Sequence, residues 1–313
     1  MRNRCFSLAA AAILLLSTPA LADDPESCGS IRLSDPGWTD INATNAIASV
    51  LLESLGYTPD VKTLSVLVGY QSLKNKDIDV FLGNWMPAQQ NFVDELNAEN
   101  AAEVLTQNLS GAKFTLAVPS YVAEKGITDF KDLAANAEAF GKEIYGIEPG
   151  APANENIQKI IDSDDFGLGD WSVVESSEAG MLAQVARAER AQEAIVFLAW
   201  APHPMNTKFD ITYLAGGDEY FGPDYGGAEV FTLARTGWSD ECPNAAQFFR
   251  NLQFTIDMEN EIMGKILDDG QEPQAAAADW LKEKPEVLDP WLDGVTTLDG
   301  EPGLPAVKAA LGL

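Results

Sequence analysis

Apolar and polar positions alternate along this chain in two periods. Ala43–Gly56 carries Ile47, Val50, Leu51 and Leu55 on one helical face and stops at a glycine. Val61–Gly69 is rich in β-formers and predicts a strand, and Gln71–Lys76 predicts a short helix. Ile78–Leu82, Phe114–Val118, Ile144–Ile147 and Ile195–Ala199 are short apolar runs that predict buried strands. Between them, Phe130–Ala139, a segment from about Asn154, and Glu178–Ala191 predict helices, and helices close the chain from about Pro243 to Ala310. Strands alternating with helices predict an α/β chain with mostly parallel sheets.

The stretch Ile31–Asp40 organises the rest. Ile31–Leu33 predicts a strand, and Asp35-Pro36-Gly37 breaks regular structure. Trp38 and Asp40 follow at the strand's carboxyl end, where ligands bind in open α/β sheets. The same placement recurs: Gly83-Asn84-Trp85-Met86-Pro87 follows one predicted strand and Trp200 follows another. One tryptophan at a strand end is ordinary packing. Three predict an aromatic-lined cleft between two lobes. Ring faces bind quaternary ammonium groups through their quadrupole, at roughly 0.5–2 kcal/mol per desolvated face.

Composition narrows the function classes. With 20 Lys and Arg against 48 Asp and Glu, the net charge is −28, which excludes attraction to nucleic acid. Arg2 and Arg4, the apolar run Phe6–Leu16 and the small-x-small Ala20-Leu21-Ala22 predict a signal peptide over residues 1–22, cleaved after Ala22. The protein is therefore expected in the periplasm. Cys5 would leave with the leader, so Cys28 and Cys242 are expected to form one disulfide. That bond would bring the chain back to its first lobe. The remaining ~290 residues exceed one comfortable core and predict two domains.

The chemistry-bearing residues offer little to an enzyme. The single histidine, His203, sits between Pro202 and Pro204. It lacks partners at metal spacing and a Ser–Gly elbow, so it is read as holding its loop. No metal, cofactor or catalytic residue is expected. Glu148 is read as orienting the Gly150 turn, and Asp162–Asp165 as a solvated loop.

DPGWTDI, DVFLGNWMP, GAKFTLAVP, YGIEPG, SSEAGML, PHPMN and MENEIMGKILDDG run in order through the chain. Together they resemble the choline-binding periplasmic proteins of ABC importers, within the wider glycine betaine/proline betaine substrate-binding group. The resemblance implies an α/β, two-lobed periplasmic binding protein fold with a two-strand hinge and an inter-lobe ligand cleft. It divides the chain into lobe 1, residues 23–111 and 213–313, and lobe 2, residues 112–212. It implies a monomer that captures choline and delivers it to an inner-membrane ABC permease. Trp38, Trp85 and Trp200 would be walls of an aromatic box, and Asp40 would accept from the ligand hydroxyl and favour the cation.

Two positions depart from the family pattern. Phe114 stands where the family has Tyr, keeping the ring face without the hydroxyl. Ala151 stands where the family has an Asn that reaches the ligand hydroxyl; Asn154 is the nearby candidate to replace it. Glycine betaine, a sulfonium analogue, trimethylamine oxide and carnitine are therefore alternative ligands. Backbone N–H groups after Gly150 could hold a carboxylate, although Asp40 would repel one. An exported choline-ester hydrolase and a receptor-coupled sensor domain are the alternatives of other classes.

Overall fold

The computed structural model describes residues 24–313, so the expected signal peptide lies outside the described residues. Nine strands form one mixed sheet: β1 (Ser30–Asp35), β2 (Thr58–Thr63), β3 (Val80–Met86), β4 (Ala102–Pro119), β5 (Glu143–Tyr145), β6 (Ser172–Val174), β7 (Phe197–Ala201), β8 (Ile211–Tyr213) and β9 (Gly227–Arg235). Their order is β2-β1-β3-β9-β4-β7-β5-β6, with β8 beside β4. The longer helices are α1 (Thr39–Ser54), α2 (Val66–Lys74), α3 (Gln90–Ala98), α4 (Pro152–Asp162), α5 (Glu178–Ala191), α6 (Pro243–Asn251), α7 (Ile256–Leu267), α8 (Pro273–Glu283) and α9 (Gly303–Leu311).

The molecule has two lobes. β1–β3 and α1 build the first, with α7, α8 and α9 packed on α1. β5–β7 with α4 and α5 build the second. β4 and β9 pair antiparallel between them. Their register shifts at three places, one of them between Leu109 and Ala112 around Gly111. The sheet is thus not mostly parallel: the pairs within each lobe are parallel, whereas β3–β9, β4–β9, β4–β7 and β4–β8 are antiparallel. Two long strands running between lobes escape a reading based on short apolar runs, because their burial changes along their length.

Two local expectations change. Val61–Gly69 splits into the end of β2 and the start of α2. The buried residues Val66, Gly69, Tyr70 and Leu73 recur at helical spacing and override the β-rich composition. β3 continues through Trp85 to Met86, because Asn84, Trp85 and Met86 pair with β9. β8 pairs with Ala117–Pro119 of β4, and Phe221 packs edge-on to Phe114 and Phe130.

Cys28 and Cys242 are joined, with Cα atoms 5.8 Å apart, which ties the start of β1 to the start of α6. Asp24 supports the same junction by accepting from the α6 amides of Asn244 and Ala245 at 2.8 and 2.9 Å. The ring closes over a separation of 214 residues. Replacing both cysteines by serine is expected to cost up to roughly 5 kcal/mol, mostly through the freed unfolded chain. Urea unfolding of the two forms checks this; equal midpoints would refute it. No helix among the described residues is long and apolar enough to cross a membrane.

Candidate functional site

The candidate site is a cavity of about 50 Å³ between the lobes, lined by Trp38, Asp40, Trp85, Phe114, Ala151 and Trp200, with Gln89, Ile147, Pro152 and Leu198 among the rest. Sequence reasoning anticipated the first six, and the fold brings them together from β1–α1, β3, β4, the β5–α4 turn and β7.

Each ring is set by its local backbone. Trp38 follows the Asp35-Pro36-Gly37 turn, where Gly37 has φ +90° and donates its N–H to Asp35 Oδ1 at 2.7 Å. Its indole Nε1–H donates to Glu148 Oε1 at 2.8 Å, a bond from one lobe to the other. Trp85 donates its indole N–H to Asp40 Oδ2 at 3.0 Å and meets Phe114 edge-on, ring centres 6.4 Å apart. Phe114 and Trp200 face each other in register across β4 and β7. Gly226 backs Phe114: a Cβ there would lie 1.8 Å from the Phe114 carbonyl oxygen, so only glycine allows this approach. All four rings are buried.

Among the described residues, Asp40 is the only acid lining the cavity, and no Lys or Arg joins it. Its Oδ1 is buried and has no hydrogen-bond partner. Burial first, and then Glu178, push its carboxyl up to about 7, against the Trp85 indole that pulls it down. A buried oxygen without a donor costs roughly 1–3 kcal/mol, which a donor or a cation entering the cavity would recover.

Asn154 does not line the cavity. Its Oδ1 accepts the Ile147 N–H at 3.0 Å, and its Nδ2 donates to the carbonyls of Ile147 and Glu148, each at 3.0 Å. It is buried and shapes the turn before α4, the task assigned from sequence to Glu148. Glu148 instead receives Trp38. The expected amide cradle after Gly150 is also depleted: the Ala151 N–H goes to the Glu148 carbonyl at 3.1 Å, and Pro152 has none.

His203 holds its loop, as expected, through Nδ1, which accepts the Met205 N–H at 2.9 Å. Its Nε2 lies 3.1 Å from Glu178 Oε1. Glu178 is the important residue that sequence reasoning missed. As the first residue of a helix it read as an ordinary charge favouring a helix start. Burial pushes its carboxyl up, but the donors His203 and Thr39 outweigh that and hold it below its usual range. No group of His, Cys, Asp and Glu among the described residues could hold a metal ion.

A family model described as the substrate binding domain of ABC-type glycine betaine transport systems, OpuAC, matches residues 29–283. A solved ABC-transporter choline binding protein in complex with choline is 57% identical, with a TM-score of 0.91 over 92% of this chain and 100% of that one. An ABC-transporter choline binding protein in an unliganded semi-closed conformation is also 57% identical over the same shares, with a TM-score of 0.85. The glycine betaine/carnitine transport binding protein GbuC of Listeria monocytogenes serotype 1/2a (strain 10403S) is 34% identical over 174 residues, which is 55% of this chain and 55% of that protein.

Proposed function

Since the chain belongs to the family of substrate binding domains of ABC-type glycine betaine transport systems, we propose that it captures choline between its lobes in the periplasm and delivers it to an ABC permease of the inner membrane. The observation that carries this reading is the cavity itself. Four aromatic walls surround one carboxylate whose Oδ1 lacks a partner, with no cationic side chain beside it. The rings hold the trimethylammonium group, each desolvated face contributing roughly 0.5–2 kcal/mol. Asp40 Oδ1 takes the ligand hydroxyl and balances the charge. Phe114 serves as the fourth wall without a hydroxyl, and Ala151 contributes shape only. The likeness to a choline complex at 57% identity supports the same ligand.

Choline is favoured over glycine betaine for a specific reason. A betaine carboxylate would meet Asp40, and the turn after Gly150 offers it neither the Ala151 amide nor one from Pro152. In this reading lobe 1 is residues 23–111 with the chain beyond about 226, lobe 2 is the segment between, and β4 and β9 are the hinge. Both ring nitrogens of His203 are already engaged, which speaks against an esterase.

Isothermal titration against choline, glycine betaine, carnitine, trimethylamine oxide and a sulfonium analogue tests the proposal. Choline is expected to bind at least about tenfold tighter than betaine, the equivalent of roughly 1.4 kcal/mol. Tighter betaine binding would move the protein to the betaine binders. Loss of choline uptake in cells lacking the protein tests delivery.

A further inference from the structure

Helix α1 opens at Thr39 without a side-chain cap of its own. The cap arrives from the other lobe, 139 residues away: Glu178 Oε2 accepts the Thr39 N–H at 3.0 Å, and Oε1 accepts the Thr39 hydroxyl. The same Oε1 lies 3.1 Å from His203 Nε2. Because Nδ1 of that ring already accepts the Met205 N–H, Nε2 is the ring's donor. One buried carboxylate therefore receives three donors, two of them from the opposite lobe. None of the three residues lines the cavity.

Their location gives the arrangement a consequence. Thr39 lies between Trp38 and Asp40, the two box residues of the first lobe at the start of α1. His203 meets Trp200 of the second lobe edge-on, ring centres 5.0 Å apart. Drawing Thr39 onto Glu178 thus seats Trp38 and Asp40 against Trp200. It also brings Trp38 Nε1 within reach of Glu148. Opening the cleft strips α1 of its anionic cap and leaves Glu178 with one donor out of three. We infer that Glu178 is a positioning residue, the centre of a latch with Thr39 and His203 that holds the lobes closed and sets the rate of ligand release. The inference rests on the reading of the cavity as a ligand-capturing cleft.

The latch separates two rates. Encounter with ligand occurs in the open form, where the latch is unmade, whereas release requires breaking it. Stopped-flow tryptophan fluorescence with choline reads both. Thr39→Val keeps the shape and removes the hydroxyl donor. Glu178→Gln leaves one acceptor oxygen for three donors. Each is expected to speed release by about tenfold or more, with the association rate within about twofold of the wild type, because hydrogen bonds to a buried charge are among the stronger ones. Thr39→Ser restores the donor and is expected to release choline at close to the wild-type rate. Small-angle scattering of the ligand-free protein should show a more open average for Thr39→Val than for the wild type.

If wild type binds no choline, the cleft reading falls. If wild type binds but Thr39→Val releases at the wild-type rate, the latch falls and the cleft reading stands. A residue needed only to keep the fold would lower the melting temperature of Thr39→Val without changing the release rate, which also overturns the latch. Should Glu178→Gln not fold, the Thr39 pair decides alone.

Discussion

Trp85→Ala is expected to weaken choline binding by roughly 2–4 kcal/mol, about thirtyfold or more in Kd. Two losses combine. One box wall disappears, and with it a cation–π face in a desolvated site. Asp40 also loses the indole donor at 3.0 Å, its one side-chain partner, beside an Oδ1 that already lacks a donor. Trp85→Phe separates these losses, since it keeps a ring and removes the N–H. It should retain part of the affinity while raising the pH at which binding sets in. Trp38→Ala and Trp200→Ala should each cost roughly 1–3 kcal/mol. Calorimetric titration of the folded variants reads these values. If Trp85→Ala and Trp200→Ala both bind choline like the wild type, the box is misplaced.

Asp40→Asn is the second large effect, at roughly 1.5–3 kcal/mol against choline, with a smaller loss or a gain for betaine. It should also abolish a pH dependence. The Asp40 carboxyl stands at about 7 because burial and the nearby Glu178 disfavour its charge; Asp35 acts in the same direction. Glu259, buried in α7, is itself raised by burial and by Asp40. Every acidic neighbour therefore opposes ionisation, while a bound cation favours it. Choline binding should release a proton. Its affinity should be full above about pH 7 and fall toward acid, approaching tenfold per pH unit in the limit. In the ligand-free protein the sign for folding is the reverse of the usual carboxylate case. The folded state binds more protons than the unfolded chain between the ordinary value of 3.8 and about 7, so this group's contribution to stability declines as pH rises through that window. Titration in two buffers of different ionisation enthalpy reads the proton directly. A flat affinity between about pH 5.5 and 8 would show that Asp40 does not meet the cation.

Much of this was legible in the chain because it is local. The Asp35-Pro36-Gly37 break, the apolar runs before Trp85 and Trp200, and the helix Glu178–Ala191 depend on neighbours a few residues away, where φ restrictions and periodicity act. Once the expected leader is set aside, two cysteines remain and admit a single intramolecular pairing, which is the Cys28–Cys242 bond that forms. What local pattern could not decide is where polar groups spend their hydrogen bonds. Asn154 is close to the cavity in sequence, yet its amide is consumed by Ile147 and Glu148. Glu178 resembles any acid at a helix start, yet it caps a helix 139 residues earlier in the chain.

The sequence by itself thus determined the aromatic and acidic composition of the site, the class of ligand those faces suit, and the alternating α/β elements that carry them. Tertiary structure alone decided the long β4–β9 pairing, the helical fate of Val66–Lys74, and the bonds between lobes. The reason is one of range. Periodicity records which side of an element is buried, whereas a buried donor or acceptor must be satisfied by whichever group the fold brings to it, and that partner can lie anywhere in the chain.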